Sequence, residues 1–127
     1  HPPNPATHAE GLIVIYDVAY APHGNLARFL AHELSHEIFS KLPNYGKSYR
    51  DATGWRLKWE NDVNLVWTGR KSGYVDADGP TSPSEDFANN IEFYLFEPER
   101  LKKITPTAYD WLKKTYGDKL VLKRAKK

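Results

Sequence analysis

Residues 29–39 read FLAHELSHEIF, and this run constrains the chain more than any other. It is apolar and helix-like, and Leu26, Leu30, Leu34 and Ile38 recur every four residues as one apolar ridge. Asn25 is a suitable N-cap, so a helix is expected from there to about Ser40, ending before Pro43. At about 100° per residue the ridge lies roughly opposite His32 and His36. The histidines are therefore expected away from the core, on the wall of a cleft. Two histidines at i and i+4 sit one turn apart and can reach a single metal ion, and the Glu after the first points beside them toward a metal-bound water. His32-Glu33-x-x-His36 is such a pattern. Its specificity taken alone is limited, since about one shuffled chain in a hundred of this composition would contain it.

A chain of 127 residues is one domain, long enough to bury a core without disulfides. A 13% share of aromatic residues and 27% charged residues exclude a disordered class. There is no cysteine, so thiol nucleophiles and thiolate zinc ribbons are excluded and any metal must be held by His, Asp or Glu. The longest apolar run, residues 12–15, is far too short for a bilayer, so no transmembrane segment and a soluble protein are expected. The opening HPPNPATHAE has neither a basic n-region nor an apolar h-region and reads as an excised or matured piece. Net charge is +2, but residues 113–127 hold seven Lys/Arg against one Asp, which leaves 11 basic and 15 acidic residues, a body of −4. The basic end KLVLKRAKK reads first as a solvated terminus, with nucleic acid or anionic lipid as the competing partner.

Residues 1–10 form a proline-rich arm, expected to be extended and loosely held. GLIVIYDVAY, residues 11–20, is rich in β-branched and aromatic residues and predicts a central strand. After the helix of residues 25–40 comes a loop, then WRLKWENDVNLVW, residues 55–67, where Trp55, Leu57 and Trp59 and then Val63, Leu65 and Trp67 alternate around END. That pattern predicts a hairpin with a three-residue connection, its tryptophans covering the sheet; a helix is the competitor, because Trp59, Val63 and Trp67 are four apart. Residues 68–83 are dense in Gly, Asp, Ser and Pro and predict a long loop of the kind that often carries function. Ser82-Pro83 and Thr105-Pro106 each open a helix as N-cap and first residue, the first stopping at Pro98 and the second at Gly117. The order is strand, helix, hairpin, loop, helix, helix: one α+β domain over residues 11–122, a short mixed sheet packed on the HExxH helix with two helices behind it, and a basic tail at 123–127.

Catalytic zinc takes three protein ligands and keeps one position open for water. His23 lies on the wrong side of a turn and His1 and His8 belong to the arm, so a carboxylate is expected. Glu85, at the start of the SEDFANNIEFYLF helix, is the leading candidate, with Asp86, Glu92 and Asp76 as competitors. Glu85 also has a structural reading, since Ser82-Pro83-Ser84-Glu85 fits a capping box in which its side chain bonds back to the Ser82 amide.

The HELSH helix, a Tyr-bearing loop and a following E-D-F-A helix together resemble the gluzincin arrangement of the anthrax lethal factor catalytic domain and the Pro-Pro endopeptidases, and zincin toxin domains of secreted bacterial effectors. The likeness covers about residues 25–115. It implies a zincin-like fold, one Zn2+ per chain on His32, His36 and Glu85, and Tyr74 of SGYVD as the group assisting the oxyanion. It departs from the pattern at Asn89, where members often carry a Glu that would stand behind the ligands, and at Ser35, where Gly is common. The implied setting is the toxic domain of a larger secreted bacterial protein, with a protein or peptide substrate and an immunity protein or the parent protein as partners.

A zinc ion at such a site lowers the pKa of its water far below that of bulk water, toward about 7, Glu33 is the expected general base, and Tyr74 or a strand amide is expected at the oxyanion, worth about 3 kcal/mol. Tyr74 reads equally well as a loop residue packed on a Trp. Glu37, next to His36, reads as a solvated helix residue or a partner of Arg28 or Lys41. The competing class is a zinc-containing or degenerate binding module whose basic tail docks on nucleic acid or membrane. Glu33 speaks against it, because a structural zinc site needs a fourth ligand and no water-activating carboxylate.

Overall fold

The computed structural model describes residues 6–9, 12–16 and 25–123. Strand β1 (Ala6–Ala9) runs antiparallel to β2 (Leu12–Tyr16), and the last strand, β5 (Leu120–Lys123), joins β2 in parallel, so β2 is the central strand of a three-stranded mixed sheet. The α+β class and the central strand agree with the expectation. Two of its boundaries do not. Residues 6–9 pair with β2 in the sheet where a loose arm is expected, and Lys123, expected in the basic tail, is the last residue of β5. A parallel neighbour arriving from more than 100 positions away has no local signal, and only four residues carry it.

Between the strands lie α1 (Asn25–Ser40), α2 (Lys47–Thr53), β3 (Arg56–Trp59), β4 (Leu65–Thr68), α3 (Pro83–Phe96), α4 (Pro98–Ile104) and α5 (Pro106–Thr115). Helix α1 has the predicted bounds. Three helices start on proline, whose fixed φ and missing N–H suit the first helical position. Pro98 thus ends α3 and opens α4, a helix not foreseen from sequence. Thr105 precedes α5 as predicted, but its buried hydroxyl donates to the Gly73 carbonyl, 2.7 Å away, instead of capping the helix.

Helix α2 falls inside residues expected to be a loop. Its seven residues are too few to be stable alone. Glycines in the left-handed region bracket it, Gly46 at φ 65° and Gly54 at φ 88°, and the fully buried Tyr49 fastens it to α3 and α5 through edge contacts with Phe87 and Trp111. Tertiary packing supplies what local propensity lacks.

Residues 56–68 form the predicted hairpin, with Leu57 opposite Trp67 and Trp59 opposite Leu65. Its connection is five residues long rather than three. The Asn61 carboxamide oxygen accepts from the amides of Val63 and Asn64, and the Glu60 amide donates to the Asn64 carbonyl, which takes Val63 out of the strand. The tryptophans do not share one role. Trp55 is buried, Trp67 stacks on Tyr45 at 5.6 Å beneath the Arg50 guanidinium, and Trp59 is 62% exposed.

The core forms where α1 crosses α3. Among the residues of α1 whose burial is described, Ala31, Ser35, Ile38 and Phe39 are buried, so the buried face lies between the predicted ridge and the histidines rather than opposite them. Leu30 and Leu34 are only partly buried. Two of the buried residues are small, Ala31 and Ser35, and the Ser35 hydroxyl is satisfied by donating to the Ala31 carbonyl at 2.6 Å. His32 and His36 consequently border the helix crossing and face α3. Phe87 and Ile91 of α3 fill the other side, with Leu101, Ala108 and Leu112 of α4 and α5 below. Fully burying each large apolar side chain contributes about 1.5–3 kcal/mol.

Candidate metal centre

Helix α3 begins with Ser82, whose hydroxyl accepts from the Glu85 amide at 3.1 Å, and whose carbonyl accepts from the Asp86 amide at 3.0 Å. This is one half of the expected capping box. The other half is not made: the Glu85 carboxylate reaches instead across to α1. Its Oε1 lies 2.6 Å from His36 Nε2 and its Oε2 lies 3.4 Å from His32 Nε2, and the two Nε2 atoms are 3.3 Å apart. One ligand atom from each of His32, His36 and Glu85 lies within 4.8 Å of the others, and all three side chains are partly exposed.

The donor set fits zinc. Two imidazoles and one carboxylate are suitable ligands, and ligand atoms about 2.1 Å from a tetrahedral ion stand about 3.4 Å from one another. The two Nε2 atoms, 3.3 Å apart, match that edge, while Glu85 meets His32 and His36 through different carboxylate oxygens, at 3.4 and 2.6 Å. No fourth His, Cys, Asp or Glu joins the cluster among the described residues, which suits a centre that keeps one position open.

The outward nitrogens are held by different groups. His36 Nδ1 lies 2.7 Å from the Ser84 hydroxyl, and His32 Nδ1 lies 3.5 Å from Glu92 Oε1. Both rings thereby turn Nε2 toward Glu85. Hydrogen bonding to Glu92 raises the His32 pKa above its ordinary 6.5, against the opposing effect of burial, with the Glu85 charge adding to the rise. Asp78, on the loop before α3, accepts from Asn89 Nδ2 at 2.5 Å. Burial works to raise its pKa, but hydrogen bonds to Asn89 and Glu85 and the charge of His32 leave it below the usual carboxylate value.

The structure separates the competing carboxylates. Asp86, one residue after Glu85, is fully buried and accepts from Tyr49 Oη (2.9 Å), Trp55 Nε1 (3.0 Å) and Arg70 Nη1 (2.9 Å), so it ties α3 to α2, to the hairpin and to the long loop. Asp76 is exposed and caps its own turn at the Ala77 amide. Glu92 backs His32 from the side away from Glu85. Glu37 is exposed, 3.9 Å from Lys41, the solvated role expected of it, while Arg28 pairs with Glu92 and Glu97 instead. Glu33 follows His32 on α1 and is exposed.

Tyr74 lies on the loop of residues 69–82, and its hydroxyl donates to the Arg70 carbonyl at 2.8 Å. Its ring meets Trp55 edge-on at 6.3 Å and lies 4.0 Å beneath the Arg70 guanidinium carbon. A Cβ at Gly69 would collide with that hydroxyl and with the Trp55 ring, so a glycine is needed for this packing. The hydrogen bond and ring contacts of Tyr74 go to the Asp86 neighbourhood and not to the two histidines. His1 and His23 lie outside the described residues.

Ser84, Asp78, Arg28 and the supporting role of Glu92 were not singled out from sequence as parts of the site. A signal existed for two of them. Glu92 is seven positions after Glu85 and shares its helix face, and Arg28 is one turn before His32. A cavity of about 480 Å³ lies elsewhere, between α2 and α5, lined by Leu42, Pro43, Tyr49 and Trp111 among others, and includes none of these residues. No helix among the described residues is long and apolar enough to cross a membrane. No protein-family model, no curated protein and no solved structure matches the chain.

Proposed function

We propose that this chain is a zinc metallopeptidase domain that hydrolyses peptide bonds in a protein or peptide, with one Zn2+ on His32, His36 and Glu85. The observation that carries the reading is the convergence of these three donors, from two helices and 49 positions apart in sequence, within 4.8 Å. A zinc ion bound there would act as a Lewis acid toward a carbonyl and bring a water within reach of deprotonation near pH 7. Glu33 is the base we assign to that water. It adjoins a ligand and is exposed. It takes the water's proton and returns it to the leaving amine. A group for the oxyanion is assigned to Tyr74 only if its hydroxyl leaves Arg70.

The binding-module alternative would need a fourth protein ligand at the metal and gives Glu33 no task. The wider setting we propose, the toxic domain of a secreted bacterial protein with a cognate immunity protein, rests on the sequence resemblance alone.

The test is elemental analysis beside activity on a proteome-derived peptide library. Wild type should carry one zinc per chain and cleave. Glu33→Gln should keep the zinc and lose about 10²–10⁴-fold in rate. Full cleavage by Glu33→Gln, or wild type that takes up no zinc after reconstitution, would sink the reading.

A further inference from the structure

Two histidines that hold one ion need their outward nitrogens held as well, because the partner of Nδ1 sets the tautomer, the ring angle and the basicity of Nε2. Here the two are held unequally. His36 has a neutral hydroxyl, Ser84 Oγ, at 2.7 Å, whereas His32 has a carboxylate, Glu92 Oε1, at 3.5 Å. The other oxygen of that carboxylate takes the Arg28 Nε–H at 2.7 Å, and Arg28 also donates through Nη1 to Glu97 at 2.6 Å while lying over the Phe93 ring at 4.7 Å. The chain His32–Glu92–Arg28–Glu97 therefore starts and returns between α1 and α3, and both side chains in its middle are largely shielded from solvent.

We propose that Glu92, itself oriented by Arg28, is the positioning residue for His32 and sets the affinity of the metal centre. The geometry gives the reason. Position 89, one turn after Glu85, carries Asn, and its amide is spent on Asp78. Glu92 lies two turns after Glu85 on the same face of α3, opposite the first histidine of the motif, so the charge that would stabilise a metal-bound imidazole comes from there. Arg28 holds Glu92 through its Nε–H at 2.7 Å, which opposes a swing of the carboxylate to solvent. Serine at 84 supplies orientation without charge, so it contributes less.

This inference rests on the metal-site reading above, and the experiment separates the two. Zinc affinity is measured by competition with a chromophoric chelator, and Co2+ substitution reports ligand geometry by its visible absorption bands. The chains compared are wild type, Glu92→Ala, Glu92→Gln, Ser84→Ala and Glu97→Ala, each checked for folding by circular dichroism without metal. Glu92→Ala should lose roughly 10–100-fold in zinc affinity and shift the Co2+ bands, and Glu92→Gln, which keeps an acceptor oxygen without charge, should lose less. Ser84→Ala should lose less than Glu92→Ala. Glu97→Ala removes the other half of the Arg28 clamp without touching a histidine, so it should bind zinc like wild type.

Equal losses in Glu97→Ala and Glu92→Ala would reduce Glu92 to a helix clamp and overturn the proposal. So would a Glu92→Ala affinity within about threefold of wild type; if that variant does not fold, Glu92→Gln decides by the same criterion. Wild type that binds neither zinc nor cobalt would overturn the metal site and this proposal together, whereas a loaded wild type with indifferent variants overturns this proposal alone.

Discussion

Glu85 and Asp86 are adjacent carboxylates in the first turn of α3, and the structure gives them opposite tasks. Asp86 is 1% exposed at its side chain and meets donors from a Tyr, a Trp, an Arg and an Asn. Glu85 is 26% exposed and meets two imidazoles that offer nitrogens rather than fixed positive charge. One carboxylate is fully compensated and holds elements together. The other is left with coordination capacity. A helix turns about 100° per residue, so neighbouring positions must face different environments, and here one faces the core while its neighbour faces the gap between α1 and α3. One dipeptide thus joins a packing anchor to a cluster able to hold a metal ion.

That contrast can be tested by removing each carboxylate in turn. For zinc, Glu85→Gln should abolish stoichiometric binding, read by elemental analysis, while its unfolding free energy stays within about 1 kcal/mol of wild type without metal. Asp86→Ala should do the reverse in kind: it strands the part-buried Arg70 and orphans Tyr49 and Trp55, and should cost about 3–5 kcal/mol in denaturant unfolding. Equal stability losses in the two variants would erase the distinction.

Tyr74→Phe tests on which side of the divide that residue falls. Losing its bond to the Arg70 carbonyl should cost about 1 kcal/mol in thermal or denaturant unfolding and leave cleavage within threefold of wild type. A hundredfold loss of rate with unchanged stability would return Tyr74 to the oxyanion.

The pH response sharpens the Glu85 side. In the metal-free chain Glu92 raises the His32 pKa above 6.5, so the folded state binds that proton more tightly than the unfolded state does. The resulting stability is fully present below 6.5 and is lost as pH rises through the folded value. The melting temperature of the metal-free chain should therefore decline across that window, and more weakly in His32→Asn. Zinc affinity should change in the opposite direction, since the proton and the ion compete for the ring. The smallest effect is expected away from both carboxylates. Trp59→Ser, on the open face of the hairpin, should alter stability by no more than about 0.5 kcal/mol by the same unfolding measurement.

Much of this could be read from the chain. Periodicity and punctuation located α1, the hairpin and the starts of α3 and α5, because apolar spacing, N-caps and helix-opening prolines are local properties. The same locality hid α2, which depends on Tyr49 meeting Phe87, and β5, which pairs with β2 from more than 100 positions away. HExxH announced two of the cluster's three residues, His32 and His36, since i and i+4 on a helix are neighbours whatever surrounds them. The sequence put Glu85 first as the third member of the set, but Asp86, Asp76 and Glu92 share its chemistry and differ from it only in what they face. The packing of α1 against α3 made that choice. It aimed Glu85 at the histidines, sent Asp86 into the core and placed Glu92 behind His32, because a side chain's direction depends on how two helices meet.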